Sequence, residues 1–303
     1  MEIECVAVVG CGRMGLGIVE CAAAAGLSVI AIKSTPGDIT KARARLEKSV
    51  GRSVARGKRS QEDAEALLER VEFDSRFDRV AEAALVIESV VEDLPLKRGL
   101  LRRLEASMNP RAVLASNTSS LRLFELAAVL ERPSRFIGLH FFNPVPAMKL
   151  VELATLERTE SYAAPLAEAF CARLGKTAVR VEAQPGYVVN RLLVPLLLHA
   201  IETLDCGVAD ASSIDTAMKL GCAHPMGPLA LADLIGLDVV MAMADTLRAE
   251  LRDPRYDAPP LLRALVDAGD LGRKATRGIF DYSGDAPTLN PAIADGTLER
   301  IAS

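Results

Sequence analysis

Residues 136–153 read FIGLHFFNPVPAMKLVEL, an apolar run holding one histidine, His140, and, twelve positions on, one glutamate, Glu152. An imidazole titrating near neutrality suits removal of a hydroxyl proton during oxidation of an alcohol carbon. A carboxylate on its second ring nitrogen would fix the tautomer and stabilise the imidazolium, as a buried aspartate does in hydrolytic triads. The plainer reading of such a residue is a hydrogen-bonded core histidine. Two strands joined by the proline-rich NPVPAM would return Glu152 alongside His140 and favour the chemical reading.

A second stretch, VAVVGCGRMGLGIVECAAAAG, places Gly10, Gly12 and Gly15 directly after a strand-like run and directly before a helix, with Met14 inside the loop. In that setting the first glycine permits a tight turn, the second lets backbone approach a pyrophosphate, and the third allows close helix packing. The motif opens a βαβ unit, so it predicts a dinucleotide and hence a cofactor that carries electrons. An acidic residue binding the adenosine ribose is expected about 20 residues on, and the second strand ends instead in Lys33, followed by Ser34 and Thr35. That set can accept a ribose 2′-phosphate, so NAD and NADP both stay open. Asp38 serves the ribose only if the loop is long.

The elements that must hold these residues follow from the pattern. Short β-branched runs alternate with helix-like segments: CVAVVG, a helix to Ala25, LSVIAI, a long charged helical stretch, LVIESV, another helix, AVLASN. This is the alternation of a parallel sheet with crossover helices. A helix near 121–131, strands RFIGLHFF and MKLVEL, a helix near 161–175 and the strand TAVRVE follow. From Pro185 and Gly186 no strand pattern appears, and VVNRLLVPLLLHAIETL is apolar on more than one face. The expected organisation is α/β: a Rossmann-like nucleotide domain over 1–184, then an all-helical domain over 185–303 that contributes to the substrate cleft and the dimer interface.

Composition narrows the class. Among 303 residues, 50% are hydrophobic and 25% charged, and no apolar run approaches the roughly 20 residues a membrane helix needs. A strand begins almost at once, which leaves no room for a secretory leader. The net charge of −4 argues against a general nucleic-acid binder, which needs a basic face. Six cysteines (Cys5, Cys11, Cys21, Cys171, Cys206, Cys222) form no C-x-x-C pair and no metal-like spacing with His140, His199 and His224, so no metal is expected and a reduced, cytoplasmic setting is. His199 and His224 read as structural.

GCGRMGLGI, VIESVVED, ASNTSS, HFFNPVP, KLVEL, PGYVVNRLL, SIDTAMKLG, HPMGPLALADLIGLD and LGRKATRGIFDYS, in this order over about residues 3–283, resemble the 3-hydroxyacyl-CoA dehydrogenase family. The resemblance implies reversible oxidation of an L-3-hydroxyacyl-CoA to a 3-ketoacyl-CoA, and a homodimer formed through the helical domain. It makes His140 the general base and Glu152 its partner. Ser119 falls at the serine between substrate and nicotinamide, and Asn190 at the asparagine near the substrate carbonyl, where donors stabilise charge developing on oxygen. Alone, Ser119 reads as a turn serine and Asn190 as a helix cap. Glu92, Lys97, Asn117, Ser119, Asn143 and Lys274 fall at cofactor-contacting positions, although Glu92, Lys97 and Lys274 in isolation read as solvated surface. ITKARARLEKSVGRSVARGKR carries eight basic residues at helical spacing, and the resemblance lays coenzyme A along it with Ser49 and Arg56 as contacts.

Two other readings remain at this point. One keeps the chemistry but changes the carrier, to an acyl-carrier-protein thioester or a carnitine-like hydroxy compound. The other is a non-catalytic nucleotide-binding protein, disfavoured because His140, Glu152, Ser119 and Asn190 are all present.

Overall fold

The computed structural model describes residues 3–35, 37–294 and 296, so residues 295 and 297–303 of the expected helical domain lie outside the described residues. Two compact units divide at Tyr187 and Val188.

In the first unit, β1 (Cys5–Val9), α1 (Arg13–Ala24) and β2 (Ser28–Ile32) form the opening βαβ unit, and a helical pair, α2 (Thr40–Ala55) and α3 (Gln61–Glu69), leads to β3 (Val71–Asp74). Then come β4 (Leu85–Glu88), α4 (Leu94–Ser107), β5 (Val113–Ser116), α5 (Leu123–Ala127), β6 (Phe136–Phe141), β7 (Leu150–Thr155), α6 (Ala163–Arg173) and β8 (Thr177–Glu182). The eight strands lie in the order β3-β2-β1-β4-β5-β6-β7-β8. Every pairing is parallel except β6 with β7. Strands β1, β4, β5 and β6 are apolar almost throughout because helices cover both faces, as a parallel sheet requires. Apolar clusters on the two sides confirm the layering, one built on Ile18, Leu46 and Phe170, the other on Leu101, Leu104 and Phe136.

The edge strand β3 lies inside the stretch that the sequence pattern assigns to helix. Its residues VEFD alternate Val71 buried, Glu72 exposed, and Glu72 and Asp74 hold Arg79. Four residues with two acids give little strand signal, and the pairing with β2 decides the outcome.

The second unit contains α7 (Val189–Asp205), α8 (Ala211–Gly221), α9 (Pro228–Ile235), α10 (Leu237–Leu251) and α11 (Pro260–Asp267) around a core that includes Leu197, Leu247 and Tyr256. It is not wholly helical. A short antiparallel pair, β9 (Phe280–Asp281) and β10 (Thr288–Leu289), precedes α12 (Pro291–Ala294). Asp233, 1% exposed, fixes that corner by accepting from Ile279 N, Phe280 N and Tyr282 Oη at 2.9, 2.9 and 3.0 Å. Such a tertiary clamp leaves no periodic trace in the chain.

Candidate active site

The carboxyl ends of β1, β4, β5 and β6 converge where the chain order reverses between β1 and β4, the place at which open α/β sheets bind ligands. Gly10 has φ +115°, and a Cβ there would lie 2.4 Å from Ser89 O; one on Gly15 would lie 1.8 Å from Gly10 O. Only glycine lets the loop and α1 close on the end of β4. Above Gly12 no atom lies within 4 Å of an added Cβ, and Gly12 caps α1 without any side-chain bond. Open space over uncapped amide donors at a helix N-terminus, with no acid in the first turn, suits a pyrophosphate. Met14 is half-buried and packs on the core beneath the loop. Burial pushes the Cys11 thiol up to about 11 against the pull of Lys33, so this loop holds no thiolate at neutral pH.

Past β2, the Lys33 ammonium donates to the carbonyl and hydroxyl of Thr35 at 2.5 and 2.9 Å. Asp38 turns instead to Thr40, accepting from its amide at 2.8 Å and from its hydroxyl, at the start of α2. The loop after β2 thus opens with a lysine, while its acid is engaged at the start of a helix.

Antiparallel pairing puts His140 directly opposite Glu152. Their side chains meet at 2.7 Å, Nδ1 to Oε2, and are 6% and 1% exposed. With Nδ1–H donated to the carboxylate, Nε2 is the nitrogen left to take a proton. Phe142 and Tyr187 pack on the imidazole at ring separations of 4.4 and 5.5 Å. Tyr187 adopts φ +44°, and its hydroxyl is so close to Gly138 that a Cβ there would lie 2.8 Å away. Burial, and then Glu92 and Glu152, raise that hydroxyl's pKa, so it stays protonated. Nothing in PGYVVNRLL marks Tyr187 as a wall of the histidine, since only the fold carries the chain back there.

Asn117 ties three strand ends together: its amide donates to Glu88 O at 2.8 Å, its side-chain nitrogen to Ser89 Oγ at 3.0 Å, and its Oδ1 accepts from Phe141 N at 2.8 Å. One oxygen of Glu92 accepts from Thr118 Oγ1, Ser119 N and Ser120 N at 2.6, 2.9 and 3.1 Å. Burial pushes Glu92 up, yet Lys97 and these donors outweigh it and hold the carboxyl below its ordinary range. Glu92 therefore shapes the loop that presents Ser119. Lys97 lies deeper than a surface residue would: its side chain is 0% exposed, 2.7 Å from Glu88 and 3.3 Å from Glu92. Glu88, equally buried, also accepts from Val90 N and Ser116 Oγ at 2.7 and 2.6 Å. Sequence reading passed over Glu88, although a glutamate ending the apolar run LVIE, nine residues before a lysine, was a usable signal.

Asn143 is exposed after β6 and lines a cleft of ≈ 680 Å³ with Arg13, Gly17, Arg45, Ser49 and Arg52. Ser49 donates to the buried Glu20 at 2.7 Å. Arg56 is the exposed C-cap of α2, and the basic residues of α2 that line this cleft are Arg45 and Arg52. In the helical unit, Asn190 is 9% exposed in the first turn of α7, with Val188 as the cap. Lys274 forms an ion pair with Asp238 there. Among the described residues no group of three or more His, Cys, Asp or Glu could hold a metal.

Comparison with known proteins agrees with this geometry. Residues 5–184 match the family model described as 3-hydroxyacyl-CoA dehydrogenase, NAD binding domain, and residues 186–282 match the C-terminal domain of the same family. A probable 3-hydroxybutyryl-CoA dehydrogenase of Bacillus subtilis is 43% identical over 93% of this chain and 98% of its own. The crystal structure of FadB2 from Mycobacterium tuberculosis superposes with a TM-score of 0.90 at 42% identity, over 93% of this chain and 100% of that one. That of (S)-3-hydroxybutyryl-CoA dehydrogenase from Ralstonia eutropha gives 0.87 at 40% identity, over 93% and 100%. With both domains matched in order and the dinucleotide loop and His140–Glu152 pair on one sheet, the chain belongs to the 3-hydroxyacyl-CoA dehydrogenase family.

Proposed function

We propose that the protein reversibly oxidises a short-chain L-3-hydroxyacyl-CoA to the 3-ketoacyl-CoA, using a nicotinamide dinucleotide. The observation that carries this reading is the buried His140–Glu152 pair at 2.7 Å on the sheet whose first loop is the glycine cradle. The bound nicotinamide supplies the acceptor for the C3 hydride. His140 Nε2 takes the hydroxyl proton, and Glu152 holds the tautomer with its proton on Nδ1 beforehand and stabilises the imidazolium afterwards. Ser119, presented by the loop that Glu92 holds, donates to the oxygen on which charge develops, and its motif assigns Asn190 the same work. Asn143 and Glu92 flank the cofactor. Lys97 acts through Glu92, and Lys274 serves only if it exchanges Asp238 for the cofactor. Residues 1–184 are read as the cofactor domain and 185–303 as the domain of substrate cleft and dimer. The names of the relatives support coenzyme A as carrier and a four-carbon chain. Acetoacetyl-CoA with NADH should therefore be turned over, and a protein that binds NADH yet leaves this substrate unreduced would refute the reading.

Cofactor choice is the first departure from an ordinary NAD site. Lys33 is expected to admit NADPH alongside NADH, because an ammonium beside a 2′-phosphate gains a charge-assisted contact where an acid would repel it. Lys33→Asp should lower the NADPH-to-NADH ratio of kcat/KM by roughly ten- to a hundredfold. A parent selective for NADH whose ratio ignores the substitution would show that Lys33 does not reach a 2′-phosphate.

A homodimer is the proposed assembly. Val188 and Leu192, one turn apart at the start of α7, are 48% and 70% exposed, and Leu220 at the end of α8 is 82% exposed. Apolar side chains this open, repeated on neighbouring helices, call for a partner, and two-fold dimers are the commonest solution. Light scattering at micromolar concentration should give twice the 32.3 kDa chain mass, and the monomer mass would reject the dimer. No described helix is long and apolar enough to cross a membrane, and the free cysteines support a cytoplasmic setting.

A further inference from the structure

Tyr187 is the last residue of the first unit and takes a backbone conformation, φ +44°, that residues with a Cβ seldom adopt. Its side chain is buried, and its hydroxyl has no hydrogen-bond partner among the described residues. Backbone strain of this kind persists only where the surroundings over-determine the residue. A buried, unpaired hydroxyl also opposes the arrangement, so what holds Tyr187 in place is the fit of its ring.

That fit is to one face of β6. Gly138 and His140 are two residues apart and so project from the same side of the strand, about 6.6 Å from one another. The phenol spans the interval. Its ring centroid lies 5.5 Å from that of the imidazole, at 37°, and its hydroxyl stands over Gly138, where an added Cβ would lie 2.8 Å from the oxygen. The same Cβ would lie 3.2 Å from Ala154 Cβ and 3.6 Å from Leu123 Cδ1, so apolar neighbours close the notch. Gly138 is not one of the glycines with positive φ, so its backbone does not call for glycine and the tyrosine above it does. On the imidazole, Glu152 fixes Nδ1 at 2.7 Å, a contact about which the ring can still pivot. Phe142, 4.4 Å away at 54°, and Tyr187 close on the ring itself and remove that freedom.

We propose that Tyr187, seated by the notch at Gly138, is a positioning residue that sets the plane of the His140 imidazole and so the direction in which Nε2 meets the substrate hydroxyl, an assignment that rests on the proposed reaction. The ring does this work and the hydroxyl only keys it to the strand.

A pair of compensating substitutions in the full chain tests the proposal. Gly138→Ala puts a methyl against the hydroxyl, and the phenol must tilt, which changes its contact with the imidazole whichever way it moves. The variant is expected to lower kcat for acetoacetyl-CoA reduction by roughly ten- to a hundredfold, the range that follows a misplacement of about 1 Å. Adding Tyr187→Phe removes the oxygen that the methyl strikes and should bring kcat back to within about threefold of the parent. Tyr187→Phe alone keeps the ring and should keep kcat, whereas Tyr187→Leu should fall as far as Gly138→Ala. NADH affinity should stay at the parent value throughout, because the glycine cradle lies on other strands. The imidazole C–H resonances of His140, assigned by their loss in His140→Gln, report the contact without turnover. They should move in Gly138→Ala and Tyr187→Leu and return in the double variant. Resonances that hold still in Tyr187→Leu overturn the proposal, as does a Gly138→Ala defect that Tyr187→Phe leaves unrepaired. Tyr187→Phe as slow as Tyr187→Leu overturns it too, by giving the work to the hydroxyl. A parent that leaves acetoacetyl-CoA unreduced while the resonances move and return as expected sinks the reaction and keeps Tyr187 as the residue that orients His140.

Discussion

His140→Gln is expected to lower kcat for acetoacetyl-CoA reduction by about 10² to 10⁴, the usual worth of a positioned acid or base. Glutamine is close in size, and its amide nitrogen can still donate to Glu152, so no carboxylate is left buried without a donor. The packing of Phe142 and Tyr187 loses little. The variant should melt near the parent temperature and bind NADH with the parent affinity, because the glycine cradle and the Glu92 loop do not depend on the imidazole. Stopped-flow or steady-state turnover at saturating substrate, beside NADH titration by fluorescence, separates the two readouts. Near-full turnover would show that some other group carries the proton.

Lys97→Met should destabilise the first unit by about 3–5 kcal/mol, since it leaves Glu88 buried with its opposite charge removed. Glu88 would keep its bonds from Val90 N and Ser116 Oγ but lose the ammonium at 2.7 Å. Glu92 would lose the same charge, loosening its grip on Ser119 and Ser120. Removing both charges together, in Lys97→Met with Glu88→Gln, should restore most of the stability, because two neutral buried groups carry no uncompensated charge. Urea denaturation of the single and double variants gives the coupling directly. If Lys97→Met alone costs under 1 kcal/mol, the pair is solvated in practice and the buried-charge account fails.

Several parts of the molecule were legible before any coordinates. The βαβ opening, the parallel alternation and the helical second half follow from period and punctuation, which are local properties of the chain. Gly10 and Gly15 declare their role because a Cβ there would strike Ser89 O and Gly10 O, and Gly12 because it leaves open space over the loop, so the constraint is written in residue type. His140 and Glu152 could be paired in thought because a short proline-rich link between two strands restricts their register.

The burial of Lys97 was not legible. Lys97, Glu92 and Lys274 are charged residues in polar surroundings of sequence, and local reading puts all three on the surface, where Glu92 and Lys274 do lie. Lys97 has no exposed side-chain surface, because Glu88 arrives from another strand to meet it. The strand β3 was hidden for a related reason, its four residues being ordered by pairing with β2 and not by their own preference. Arg56, which the resemblance sets beside Ser49, stands at the C-cap of α2, a place that periodicity alone does not fix.

What the chain determined by itself was therefore most of the elements, the dinucleotide loop and the candidacy of His140 and Glu152 as a pair. Those depend on backbone sterics and on periods of two and 3.6 residues, which act between near neighbours. What only tertiary structure decided was which charges are buried and which aromatic rings wall the histidine. Those depend on groups far apart in sequence meeting in a medium of low dielectric, where a partner from a distant strand changes a surface charge into part of the core.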